Sequence, residues 1–259
     1  MNLIAGPCQH ESLEQSKEIA SRCLKITRKY NFDYFFKASF DKANRTSDNS
    51  KRGQGIENTL RDFAVLKNDL GVNILTDVHE PNQIEWIEHN YPDTVDVYQI
   101  PAFLCRQTDL IKTASQTDKI VNIKKGQFLA PWDIEGILSK TEKAKEVWIT
   151  ERGTTFGYNR LIVDFSGMLY MLDNYGSRLV YDATHSVQEP GGAGLSSSGN
   201  SMYVPSMCYA ASALGVTNFF IETHPDPINA PSDGANMVKL EDFELVIKGI
   251  YEHCNLNSC

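Results

Sequence analysis

Along this chain of 259 residues, short apolar runs repeatedly end in side chains that can bind a ligand, a proton or a metal. In order these are Cys8; Lys37 with Ser39 and Lys42; Asp77 and His79; Gln99; Lys124 and Lys125; Glu151 and Arg152; Asp182 and His185; Glu222 and His224. One charged group at the end of a buried run costs little. Many converging on one rim are costly unless they pair with each other or with a polar ligand.

The groups sort into two sets. Lys37, Lys42, Arg45, Lys124 and Arg152, with Arg106 after the fourth run, are fixed cations in a chain of net charge −8. They call for an anionic ligand with more than one phosphate or carboxylate. Lys125 reads instead as a solvated loop residue. The second set is Cys8, His185, Glu222 and Asp233, a mixed S/N/O donor set suited to Zn²⁺, Fe²⁺, Mn²⁺ or Co²⁺ rather than calcium or magnesium. Taken singly, each of the four also reads as a buried thiol, a hydrogen-bonded histidine or a pairing acid, and spacing alone leaves that open.

The elements that must position these groups alternate. Strand-like runs occur at 2–6, 34–38, 72–78, 97–101, 120–124, 147–151, 179–183 and 218–223, with amphipathic stretches between them. Residues 12–30 begin with Ser12 at a cap position and place Ile19, Cys23, Ile26 and Tyr30 on one face. Residues 55–71, ending at Gly71, and 240–254 follow the same pattern. Strand then helix, eight times over, predicts an α/β fold, a single-domain (β/α)8 TIM barrel over 1–259. Its active face lies at the strands' C-terminal ends, where strands one, seven and eight are neighbours, so the second set can converge. Two long loops, 43–55 and 186–202, are rich in Gly, Ser and Asn and fall on that face.

Composition narrows the classes further. A content of 41% hydrophobic and 22% charged residues is that of an ordinary globular protein, and the negative charge gives no global attraction to nucleic acid or anionic membrane. No run approaches the roughly 18 apolar residues of a membrane span, and no signal peptide is visible. The expectation is a cytoplasmic protein with its six cysteines reduced, so Cys8 is not a disulfide half.

The motifs taken together resemble the 3-deoxy-D-manno-octulosonate 8-phosphate synthase family. They are "AGPC" with "ES" (5–8, 11–12), "KASFDKANRTS" (37–47), "DVHE" (77–80), "QIPAFLCRQTDL" (99–110), "NIKKGQF" (122–128), "ERGTTFGYNRLIVD" (151–164), "DATHSVQ" (182–188) and "ETHPDP" (222–227). The sister family, 3-deoxy-D-arabino-heptulosonate 7-phosphate synthase, typically has Lys-Pro-Arg-Thr-Ser where this chain reads Lys42-Ala43-Asn44-Arg45-Thr46-Ser47. The resemblance implies a transferase of lipopolysaccharide biosynthesis that condenses phosphoenolpyruvate with D-arabinose 5-phosphate and releases inorganic phosphate. The alternatives are erythrose 4-phosphate as the acceptor, or a catalytically silent barrel.

Carried over by position, the resemblance assigns phosphoenolpyruvate to Lys37, Ser39, Lys42, Gln99, Lys124 and Arg152. It assigns the sugar phosphate to Asn44, Arg45 and Thr46, with Asp77 near a sugar hydroxyl. It implies a divalent metal ion on Cys8, His185, Glu222 and Asp233, with Lys124, His185 and Asp233 in catalytic roles. Arg106 then reaches the site of a neighbouring subunit in a homotetramer. Two features depart from the family. The chain length leaves no room for an N-terminal hairpin under the barrel, and the loop 189–212 lacks arginines around Asn200 and Tyr209. His10, after Cys8, is a further candidate ligand, read in preference as facing solvent or standing behind the ligands.

Overall fold

A computed structural model describes residues 1–43, 52–192 and 197–256. Eight strands run parallel in one closed sheet: β1 (Asn2–Gly6), β2 (Asp33–Lys37), β3 (Asn73–Asp77), β4 (Val97–Ile100), β5 (Ile120–Lys124), β6 (Glu146–Glu151), β7 (Leu179–Asp182) and β8 (Phe219–His224). Each pairs with its successor, and β1 also pairs with β8, Leu3 opposite Phe219 and Gly6 opposite Glu222, which closes the barrel. A (β/α)8 barrel is therefore the architecture. The runs read from sequence match these strands to within one residue at most ends.

Helices form the outer ring: α1 (Leu13–Lys29), α2 (Ile56–Leu70), α3 (Pro81–Asn90), α4 (Thr108–Ser115), α5 (Ile134–Leu138), α6 (Phe165–Tyr175), α7 (Val204–Ala213) and α8 (Phe243–Leu256). Ser12 caps α1 by accepting from the Gln15 amide at 3.2 Å, and Gly71 ends α2 in the left-handed region at φ 65°. Ile19, Cys23 and Ile26 are buried, as their spacing requires. The stretch 189–212 departs from its reading as a loop. Its second half is α7, with Pro205 in the first turn, and Gln188–Glu189 pairs antiparallel with Ser198–Gly199.

The two-residue period of a strand explains where the polar groups stand. Ile4, Phe35, Leu75, Val97, Trp148, Val180 and Phe220 form a buried layer inside the barrel, separate from the larger core between strands and helices. Two residues further along the same strands come Lys37, Asp77, Gln99, Thr150, Asp182 and Glu222, and on β5 Ile120 is followed by Asn122 and Lys124. An apolar layer thus supports a polar one at the C-terminal mouth. On β1 the equivalent position is Gly6, where a Cβ would stand 2.1 Å from the Lys37 carbonyl oxygen. Backbone occupies the space, so only glycine fits.

Candidate active site

Two connected polar networks fill the mouth. The first crosses β2 to β6. Lys42 Nζ donates to Ser39 Oγ at 2.7 Å, Ser39 Oγ donates to Asp77, and Gln99 Nε2 donates to the other oxygen of Asp77. Asn122 Nδ2 then donates to Gln99 Oε1 at 2.9 Å, and Thr150 Oγ1 donates to Asn122 Oδ1 at 2.6 Å. Burial opposes the charge on Asp77, but Lys37 and then Lys42 outweigh it and hold its carboxyl well below the usual range.

The second network joins β1, β2, β5, β7 and β8. Lys37 Nζ donates to Glu222 Oε1 at 2.6 Å and to the Cys8 carbonyl at 2.9 Å. Burial works against its charge, but Glu222 and then Asp77 prevail, so the ammonium is held above the ordinary lysine value. Asp182, fully buried, accepts from Lys124 Nζ at 2.5 Å and from His185 Nδ1 at 2.7 Å, and its other oxygen caps the His185 amide at 2.9 Å. This arrangement turns His185 Nε2 towards Glu222 Oε2, 3.8 Å away. Burial pushes Lys124 down to about 8, with Asp182 offsetting only part of the shift.

The thiol and carboxylates come together around Asp233. Cys8 Sγ donates to Asp233 Oδ2 at 3.0 Å and lies 3.2 Å from Ser232 Oγ. Donor atoms of Cys8, Glu222 and Asp233 all lie within 4.8 Å of one another. His185 falls outside that group of three but stands beside it, 3.8 Å from Glu222 and near enough to Asp233 to help hold that carboxyl below the usual range. Asp233 adopts φ 54°, a left-handed conformation that is uncommon outside glycine and that Asp and Asn tolerate best. Cys8 is a free, buried thiol, and burial followed by the Glu222 charge pushes its pKa up.

Two buried atoms in this network have no hydrogen-bond partner: Arg152 Nη1, a cationic donor, and Glu222 Oε2, an acceptor. Arg152 Nη2 donates to Gln188 Oε1 at 3.1 Å, and Gln188 Nε2 donates to Asp233 Oδ1 at 2.8 Å. An unpaired buried guanidinium N–H suits an anion, and an unpaired buried carboxylate oxygen suits a cation.

Lys37, Ser39, Lys42, Asp77, Gln99, Lys124, Arg152, Cys8, His185, Glu222 and Asp233 therefore share the mouth. Asn44, Arg45 and Thr46 lie outside the described residues. Arg106 is exposed on the segment after β4, where its carbonyl accepts from Lys140 at 3.0 Å. Lys125 corrects its reading as a solvated residue. It is 1% exposed, pairs with Glu151 at 3.3 Å and donates to Leu129 O and Thr154 Oγ1, because it points outwards from β5 beneath the following loops. His10 does not face solvent. It is buried between Ser16 at 2.9 Å and Asp62 at 3.0 Å, tying the Cys8 segment to α1 and α2. The bridging role of Asp182 and the Asn122–Thr150 link were not read from sequence, although both follow from stepping two residues back or forward along each strand.

A parallel barrel with buried cations and a thiol–carboxylate cluster at its mouth defines an enzyme of the class that handles small polyanions. The chain belongs to the DAHP synthetase I family, whose model matches residues 1–254. It is similar to the 2-dehydro-3-deoxyphosphooctonate aldolase of Rhodopseudomonas palustris (strain ATCC BAA-98 / CGA009), 50% identical over 254 residues covering 97% of this chain and 87% of that protein. Proteins of the same name in Bradyrhizobium diazoefficiens and Bartonella henselae are 49% and 48% identical, over 96% and 97% of this chain and 87% and 89% of theirs.

Proposed function

We propose that this chain condenses phosphoenolpyruvate with D-arabinose 5-phosphate and water, giving 3-deoxy-D-manno-octulosonate 8-phosphate and inorganic phosphate. The observation that carries the reading is the buried, unpartnered Arg152 Nη1 in a mouth that also holds buried Lys124 and Lys37, in a chain similar to proteins named 2-dehydro-3-deoxyphosphooctonate aldolase. Arg152, Lys124 and Lys42 bind the carboxylate and phosphate of phosphoenolpyruvate, with Lys37, Ser39 and Gln99 fixing its place. As C3 attacks the aldehyde carbon, their fixed charges stabilise the negative charge that develops without reorganising. Asp77, anchored by Ser39 and Gln99, receives a hydroxyl of the sugar. Asn44, Arg45 and Thr46 hold its phosphate.

The orphaned Glu222 Oε2, with Cys8 and Asp233 close by, fits a divalent cation. Cys8, Glu222 and Asp233 hold the ion (Zn²⁺, Fe²⁺, Mn²⁺ or Co²⁺), with His185 as the fourth ligand. When bound, such an ion supplies Lewis acidity towards the aldehyde oxygen or a water molecule. His185, held by Asp182 at Nδ1, would offer Nε2 to the ion, and Lys124, which shares the Asp182 carboxylate, moves the proton and holds the phosphate that leaves.

The unit of function is one barrel domain over 1–259, working in the cytoplasm as a homotetramer. Among the described residues no helix is long and apolar enough to cross a membrane. Phe103, Phe128, Trp132 and Phe156 are 55–72% exposed on the segments after β4, β5 and β6, which supports subunit contact on that side. Arg106, exposed on the segment after β4, serves the neighbour's sugar phosphate. Phosphate release with each aldehyde tests the reaction. The expected result is turnover with arabinose 5-phosphate that is lost on chelation and regained with Mn²⁺ or Zn²⁺. A preference for erythrose 4-phosphate would move the chain to the alternative reading.

A further inference from the structure

Phe220 stands apart from its neighbours in the apolar layer because two cations sit on it. Lys124 Nζ lies 3.1 Å from the ring centroid and Lys37 Nζ lies 5.5 Å from it. The His185 ring packs against the same phenyl at 5.8 Å with an interplanar angle of 49°. The ring is 1% exposed, and its strand position is opposite Ile4 on β1 and Asp182 on β7. It therefore lies directly beneath the polar layer.

The other inner-layer positions offer Ile, Leu, Val, a second Phe and Trp, and no ammonium among the described residues sits over either of those two rings. An aliphatic side chain at 220 would fill the space without facing either cation with electron density. A phenyl face is electron-rich, and its attraction for a cation is strongest where water is excluded. Lys124 needs such help. It is buried, Lys37 repels it, and its one carboxylate partner, Asp182, is shared with His185. Glu222 attracts it from further away.

We infer that the Phe220 ring is an electrostatic seat that positions the Lys124 ammonium beneath the substrate anion, so that Phe220 is a positioning residue for the reaction. The inference rests on the reading of Lys124 as a phosphoenolpyruvate ligand. It gives the barrel floor a second task besides packing.

Shape and charge can be separated by replacing Phe220 with mono-, di- and trifluorophenylalanine, which keep the outline while draining the face, and with cyclohexylalanine, which removes the π system. Two quantities are read on each protein: the calorimetric Kd for phosphoenolpyruvate, and the rate of Lys124 carbamylation by cyanate, followed by peptide mass spectrometry. Kd should weaken stepwise with fluorine number, reaching on the order of tenfold for the trifluoro and cyclohexyl proteins. Carbamylation should rise in parallel, since a poorer seat leaves more of the reactive neutral amine.

Unchanged Kd and labelling across the fluorinated series would overturn the inference, even if Phe220→Leu weakened binding through packing. Should the unsubstituted enzyme fail to bind phosphoenolpyruvate while labelling still follows the ring, the substrate reading falls and the seat stands.

Discussion

The Lys37–Glu222 pair gives the sharpest energetic test of the mouth. Its atoms are 2.6 Å apart, with side-chain exposures of 2% and 1%, so neither partner has water to fall back on. Removing one member of such a pair costs about 3–5 kcal/mol, because the other charge is left buried and unmatched. The structure ranks the two single changes. Glu222→Gln leaves Lys37 an amide oxygen and the Cys8 carbonyl as acceptors, and belongs near 3 kcal/mol. Lys37→Met strips the donor from Oε1 while Oε2 already has none, and belongs nearer 5 kcal/mol.

The double variant Lys37→Met/Glu222→Gln removes both charges and should cost well below the sum, with a coupling of about 3 kcal/mol. For a chain of this size each kcal/mol moves Tm by about 2–4 °C, so the single changes should lower it by about 6–20 °C in chelator-treated protein. Thermal unfolding followed by circular dichroism reads this directly. Single variants within 1 °C of the parent, or strictly additive losses, would show that Glu222 does not hold the Lys37 charge and that the pair as described is wrong.

Three further outcomes follow from the same geometry. Lys124 is depressed to about 8, so its cationic form is present below that value and lost above it. The quantity kcat/KM for phosphoenolpyruvate should therefore decline as pH rises through about 8, and a profile flat to pH 10 would remove Lys124 from anion binding. Gly6→Ala drives a Cβ into the Lys37 carbonyl and should destabilise by about 3 kcal/mol in urea unfolding, whereas a neutral result would mean that β1 and β2 are spaced more widely. Cys8→Asn removes the thiolate donor and should lower affinity for Zn²⁺ in direct titration while preserving the fold. Unaltered Zn²⁺ affinity would take Cys8 out of the ligand set.

Much of the barrel was legible because parallel strands buried on both faces read as continuous apolar runs ending in a polar residue, as at 34–37 and 219–222. The rim was legible for the same reason. Less legible were features that depend on which face a residue takes after its strand has ended. Lys125 follows Lys124 by one position and so points away from the mouth into a buried pair with Glu151. The helix at 204–213 was hidden because Pro205, Ser206 and small residues give it no clear apolar stripe, and its place is set by packing against α8. The shared acceptor at Asp182 and the ring of Phe220 matter only once the barrel closes. Sequence spacing shows each residue, but not that Lys124 meets both.

The central step of the proposed reaction is one bond, between C3 of phosphoenolpyruvate and the aldehyde carbon of the sugar. Incubation of the Mn²⁺-supplemented enzyme with [3-¹³C]phosphoenolpyruvate and arabinose 5-phosphate, read by ¹³C NMR and mass spectrometry, observes that bond itself. The label should move from a vinylic to a methylene carbon in an eight-carbon 2-keto acid phosphate, with one inorganic phosphate released per product. Label that remains vinylic, or that moves only when erythrose 4-phosphate is supplied, would contradict it.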